Sequence, residues 1–237
     1  MALERKDIQP TASDSEVAAF LRQVAATPVR GASGGRGRLI FAMDATASRE
    51  PTWDRACEIQ AAMFSETRNL GGLEVQLAFY RGFREFEASA WYGDARSLLG
   101  RMTRVSCAGG LTQIARVLRH AQAETERGRV NALVFVGDCM EESRDELADL
   151  AGRLGVLGVP AFFFQEGRDP LAEQSFREMA RLTGGAWCPF DSRSPDLLRD
   201  LLSAVAVFAS GGRKALEDLG RRRGGVARQL THQIGRG

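Results

Sequence analysis

With 237 residues and 44% hydrophobic side chains, the chain is long enough to bury a full core and suits one domain with appendages. Its formal net charge of +2 conceals an asymmetry: residues 211–237 carry a local +5 and the remainder −3. No run approaches the ~18 apolar residues of a membrane span, and no basic start precedes a long apolar stretch. The expectation is therefore a soluble, cytoplasmic protein. Cys57, Cys107, Cys139 and Cys188 fall at no CxxC spacing, which argues against a zinc site or a disulfide framework and for small buried apolar residues.

The first predicted element is a helix opened by a Ser13-x-x-Glu16 capping box and carried by Val17, Phe20, Leu21 and Val24 at helical spacing. The stretch Gly31-Ala-Ser-Gly-Gly-Arg-Gly37 reads as a linker. It precedes a strand and lacks a lysine, whereas a phosphate loop follows a strand and opens a helix. From Arg38 apolar runs at 39–43, 73–80, 132–136, 159–164 and 186–190 alternate with amphipathic helices, the pattern of a largely parallel sheet covered on both faces. Residues 83–92 differ: Phe86, Ala88, Ala90 and Tyr92 alternate with Glu87, Ser89 and Trp91 soon after the second strand, which predicts a hairpin and an antiparallel edge strand.

Helix signals follow in order. Ile114, Val117, Leu118 and Ala121 form one apolar stripe, and Leu147, Leu150, Ala151 and Leu154 another, behind a Ser143-x-x-Glu146 capping box. Asp169-Pro170 and Ser194-Pro195 each pair a cap residue with a proline at the first helical position, and Gly184-Gly185 supplies a stop. The Arg- and Gly-rich tail from Gly211 is expected to be mobile or weakly helical. The organisation read from this pattern is an N-terminal helix and linker over 1–36, an α/β domain over 37–210 and a basic tail over 211–237.

Three strand ends carry the chemistry. Leu39-Ile-Phe-Ala-Met-Asp44 ends on a carboxylate, and Thr46 and Ser48 follow at alternate positions. Gly109-Gly110-Leu111-Thr112 opens the helix at 113–126, and Ala132-Leu-Val-Phe-Val-Gly-Asp138 is a second strand ending on a carboxylate. In a parallel sheet these ends lie on one side, so Asp44, Thr46, Ser48, Thr112 and Asp138 can meet at the rim where open α/β folds bind ligands. Hard oxygen donors of this kind suit Mg2+. Two carboxylates balance such an ion, while neutral hydroxyls leave it electrophilic, with a water that a partner's acid can replace.

Asp-x-Thr-x-Ser after the first strand, Gly-Gly-x-Thr in a later loop and Asp138 at the end of the fourth strand resemble the von Willebrand factor A domain and its metal-ion-dependent adhesion site. The likeness covers about residues 37–210 in element order. It implies a doubly wound, mostly parallel six-stranded sheet of order 3-2-1-4-5-6, strand 3 antiparallel, flanked by helices. It implies that Ser48 and Thr46 coordinate the metal directly, Thr112 directly or through water, and Asp44 and Asp138 mainly through water. Thr46 stands where the family more often has serine, and the usual Gly-Gly-Thr loop here reads Gly-Gly-Leu-Thr. The implied function is a bacterial, intracellular module that binds Mg2+, with Mn2+ or Ca2+ as substitutes, and docks an Asp or Glu of a protein partner, for instance in a ring-forming ATPase assembly. Glu141 and Glu142 follow Asp138 closely enough to reach the metal rim, although acids before a helix also simply favour its N-terminus, and Arg49, Trp53 and Arg104 suit bordering the site and contacting a partner as well as they suit helix-start and surface roles.

Two other readings compete. Haloacid dehalogenase-type phosphoryl-transfer hydrolases also place an Asp after a first strand, and Gly137-Asp138-x-x-x-Glu142 imitates their later acidic motif. That chemistry needs a carboxylate where Thr46 stands and commonly a lysine between the motifs, whereas Lys6 and Lys214 are the only lysines. No catalysis is therefore expected. His120, on the polar side of its helix, and His232, in the tail, are expected to be solvated rather than general bases. The basic tail invites nucleic-acid binding through phosphate neutralisation, but it lacks interleaved aromatics for base stacking.

Overall fold

Apolar strands and amphipathic helices alternate because each strand, once buried on both faces, needs a helical layer above and below it. In the computed structural model, which describes residues 14–27, 36–70, 72–190 and 195–223, this produces one six-stranded sheet. The chain order is α1 (Asp14–Ala26), β1 (Gly37–Asp44), a short 3-10 turn (Ala47–Arg49), α2 (Glu50–Ile59), α3 (Ala61–Thr67), β2 (Leu73–Arg81), β3 (Glu85–Tyr92) and α4 (Ala95–Met102). It continues with α5 (Ile114–Arg127), β4 (Ala132–Gly137), α6 (Arg144–Val156), β5 (Ala161–Glu166), α7 (Pro170–Thr183), β6 (Ala186–Phe190) and α8 (Pro195–Arg223). Strand order is β3-β2-β1-β4-β5-β6, the order the family resemblance implies, with β3 antiparallel to β2 and every other pair parallel, as the apolar pattern predicts.

The strand period of two divides the apolar residues between the faces. From β1, Leu39, Phe41 and Met43 join a core with Phe20 of α1, Trp53 of α2, Met63 of α3, Met102 of α4 and Phe208 of α8. Ile40 and Ala42 point the other way, to Leu118 of α5, Leu150 of α6 and Phe176 of α7. Caps end the helices where the sequence places them. Ser143 Oγ accepts from Glu146 N, Asp169 Oδ1 accepts from Ala172 N, and Gly184 closes α7 at φ 69°, in the left-handed region that favours glycine. Ser13, Ser194 and most of the glycine-rich linker lie outside the described residues.

The fold departs from the expected pattern in two places. Strict alternation along β3 is broken by a register shift opposite Gln76/Ala78, where Leu77 N donates to the Ser89 side chain. The extra β3 residue swaps faces, so Phe86 and Trp91, five apart, pack on the same core. At the other end, α8 runs past the expected boundary at 210. It breaks at Gly212, yet buries Ala215 and Leu216 against the core, so the start of the segment read as a tail belongs to the packed body. Residues 224–237 are outside the described set.

Candidate metal centre

β1 and β4 run side by side and parallel, with Met43 opposite Val136. The residues leaving the two strands therefore emerge together, at the point where strand order reverses between β1 and β4 and crossovers part to opposite faces. Asp44 and Asp138 stand at that point. Asp44 is 1% exposed; its Oδ1 accepts the Thr46 amide at 2.7 Å, a local turn that aims the following loop over the sheet edge. The Thr46 and Ser48 hydroxyl oxygens then lie 3.4 Å apart at the surface.

The electrostatics are unbalanced. Asp44 Oδ2 and Asp138 Oδ1 are both buried without a hydrogen-bond partner. Burial raises the Asp44 pKa above its ordinary 3.8; the Thr46 amide and hydroxyl pull it back, and the Asp138 charge raises it again. Beside it, burial pushes the Tyr80 phenol well above 10, with the Asp44 charge adding to the effect. Tyr80 is thus a neutral wall of the site, near Asp44 but in no hydrogen bond of good geometry.

Thr112 sits in the loop before α5, which is pressed against the β2–β3 hairpin. A Cβ added at Gly110 would lie 1.9 Å from the Gly82 carbonyl oxygen, so only glycine permits this approach. Thr112 is tied to the β4–α6 loop by a reciprocal pair: its hydroxyl accepts from Glu141 N and its amide donates to Glu141 Oε2, each at 3.0 Å. The strand end carrying Asp138 and the loop carrying Thr112 are therefore held together.

Glu142 has a different occupation. Gln113, at the N-cap of α5, supplies no side-chain cap. Instead Glu142 accepts from Ile114 N at 2.6 Å and from Ala115 N at 2.9 Å, one amide on each carboxylate oxygen. Burial raises its pKa above 4.5, while these amides and the Thr112 hydroxyl oppose the rise. The rim role expected of Glu142 thus has a competitor, a cap supplied from another loop.

Two of the residues expected to contact a partner face inward. Trp53 is in the core, its indole N–H donating to Met102 O at 3.1 Å and its ring edge-on to Phe79. Arg49 is 8% exposed and is drawn in by carboxylates: Nη2 lies 3.1 Å from Asp138 Oδ2, and Nη1 pairs with Glu166 Oε2. Thr52 donates to the same Glu166 oxygen. Arg104 remains exposed, on the turn after α4. His120 is half-buried rather than solvated, its Nε2 donating to Gln76 Oε1 at 2.8 Å under the Phe86 ring.

Glu166 was absent from the expected set. Its signal in the sequence is Ala161-Phe-Phe-Phe-Gln-Glu166, a third strand ending on an acid, which the end of the apolar run at 164 hides. The cysteines near the site are unreactive in character. Burial, then the Asp138 charge, pushes Cys139 up to about 12, and burial pushes Cys107 up to about 11.

Among the described residues no three His, Cys, Asp or Glu side chains are arranged to hold a metal ion. A cation here must therefore rely on two carboxylates supplemented by hydroxyls. The two unpaired buried carboxylate oxygens and the paired hydroxyls fit that description, and they are donors that Mg2+ accepts.

Solved structures share this architecture. The VWA domain of SpRpn10 superposes with a TM-score of 0.55 at 18% identity, over 70% of this chain and 94% of that one. The chain has the fold of a von Willebrand factor A domain. An aerotolerance-related membrane protein from Bacteroides fragilis matches with a TM-score of 0.54 at 15% identity, over 70% of this chain and 98% of that one. Proximal thread matrix protein 1 from the mussel byssus, with a zinc-occupied MIDAS motif, matches with a TM-score of 0.57 at 15% identity, over 73% of this chain and 46% of that one. No protein-family model matches the sequence, and neither does any curated protein. No helix among the described residues is long and apolar enough to cross a membrane.

Proposed function

We infer that this von Willebrand factor A fold is a divalent-metal-dependent protein-interaction module. Asp44, Thr46, Ser48, Thr112 and Asp138 hold the cation, Mg2+ in the first instance, and an Asp or Glu of a partner protein docks on it. The observation that carries this reading is the pair of buried, unpartnered oxygens, Asp44 Oδ2 and Asp138 Oδ1, on adjacent strand ends. Such orphans cost about 1–3 kcal/mol each and are retained where something else satisfies them. When bound, the cation supplies an electrophilic centre for a carboxylate. The protein's own groups do the rest: the Asp44–Thr46 turn presents the hydroxyls, and the Thr112–Glu141 pair fixes the opposite rim.

Phe83 and Leu111, the latter next to Thr112 in sequence, are exposed, and Leu111 N donates to the carbonyl of Gly82, next to Phe83. They offer an apolar shoulder to the same partner. No catalytic step is proposed, because Thr46 stands where phosphoryl transfer needs an acid/base. A bacterial, intracellular setting and a partner in a ring-forming ATPase assembly fit this reading and belong to it as proposals.

The test is a pull-down from the source cell with the full chain as bait, in Mg2+ and in chelator, beside Asp44→Ala. Capture is expected only with wild type in Mg2+. Equal capture in chelator, or by a folded Asp44→Ala, would overturn the docking mechanism.

A further inference from the structure

The Asp-x-Thr-x-Ser segment continues directly into Arg49, and this arginine is the one feature of the centre that a simple cation site does not require. Its backbone is fixed by Arg49 N donating to Thr46 O at 2.9 Å. Its guanidinium bridges two strand ends, reaching Asp138 just after β4 and Glu166 at the end of β5. Thr52 also donates to Glu166, so the far end of the bridge is anchored from α2. The near end is not anchored in the same way: Asp138 engages Arg49 through one oxygen only, its other oxygen has no partner, and Arg49 Nε is itself buried and unbonded.

We propose that Arg49 is a built-in competitor for the metal, a resident cation on Asp138 that keeps the divalent affinity of the centre low. A positive charge held against a metal ligand opposes a second cation whatever the details of coordination, and the burial of the Arg49 side chain weakens solvent screening of it. Glu166 makes the device reversible. When Asp138 turns to a divalent ion, Arg49 still has a carboxylate and a place to stay, so it is not left buried without a counter-charge. The consequence is a site that fills only when divalent cation is abundant or when a partner's acid adds to the binding.

This inference rests on the proposed metal reading, and its test separates the two. Mn2+ alone is the probe, followed by the spectroscopic signal of the free ion during titration of the full chain. Arg49→Gln is expected to bind Mn2+ at least tenfold more tightly than wild type and to melt at lower temperature in chelator. Glu166→Gln, which leaves Arg49 to Asp138 alone, is expected to bind more weakly. If Arg49→Gln fails to fold, the double variant Arg49→Gln/Glu166→Gln removes both charges together and must bind more tightly than Glu166→Gln. Wild type that binds Mn2+ through Asp44 while Arg49→Gln, or the double variant in its place, shows equal or weaker affinity overturns the competitor and leaves the metal reading standing. Absence of Mn2+ binding in wild type and all these variants overturns both.

Discussion

Asp44→Asn separates a carboxylate kept for a ligand from one kept for the fold. In the metal-free protein Asp44 is almost wholly buried, one oxygen takes the Thr46 amide, the other has no partner, and Asp138 adds a like charge nearby. Asparagine keeps the acceptor for Thr46 N and removes the charge, though its amide nitrogen stays buried. Of the ~1–3 kcal/mol that an unsatisfied buried group costs, about 1 kcal/mol should be recovered. For a chain of this size that corresponds to a melting temperature higher by about 2–4 °C. In Mg2+ the order should reverse: at a hundredfold excess over Kd, wild type gains about 2.7 kcal/mol from binding, and the variant gains nothing. Thermal melts followed by circular dichroism, in chelator and in a Mg2+ series, give the comparison. A variant less stable than wild type in chelator would refute the reasoning, because Asp44 would then be satisfied without a metal.

Glu142→Ala should cost about 2 kcal/mol in urea unfolding, since it strips the acceptors from two amides at the start of α5, while Mn2+ affinity stays within about threefold. A tenfold loss of affinity at unchanged stability would instead make Glu142 part of the metal rim. His120 supplies the pH dependence. Burial lowers its pKa below 6.5, Glu124 opposing and Arg127 assisting. A group depressed in the folded state contributes stability that is present above its unfolded pKa and is lost as pH falls through the folded one. Wild type should therefore lose melting temperature between pH 7 and pH 5 more steeply than His120→Gln, and parallel slopes for the two proteins would show that His120 is not the sensor.

Strand and helix placement were legible because burial on two faces imposes near-continuous apolar runs, and caps such as Asp169-Pro170 mark boundaries by chemistry that needs no tertiary partner, whereas the strand order came from the family resemblance. The meeting of Asp44 and Asp138 was legible for a related reason: parallel strands share one carboxyl edge. Charge pairing was not. Arg49 on a loop after Ser48 is equally well read as a solvent-facing residue, and only the position of β5 reveals that Glu166 draws it inward. Trp53 was misplaced because an aromatic beside a site suits recognition and core alike, and the Met102 carbonyl that takes its N–H is distant in sequence. His120 was misread because the bulge in β3, which puts Phe86 and Trp91 on its side of the sheet, leaves no periodic trace.

The charge count at the centre shows why the unforeseen pair bears on function. Asp44, Asp138 and Glu166 carry three negative charges, and Arg49 returns one. The remaining −2 is the same total that Asp44 and Asp138 alone would give, but it is now shared, because Arg49 stands between Asp138 and Glu166 and partly offsets both. On the proposed reading, a divalent cation offsets the −2 of these four groups, and a partner's carboxylate then approaches a metal against weaker repulsion. Without the cation the same carboxylate meets the net negative charge of this cluster, which Arg49 offsets only in part. A monovalent ion would leave a net charge of about −1 on these four groups. The dependence of capture on a divalent ion is thus electrostatic as well as coordinative, and it should persist in variants that alter the hydroxyls but keep Asp44, Asp138, Arg49 and Glu166.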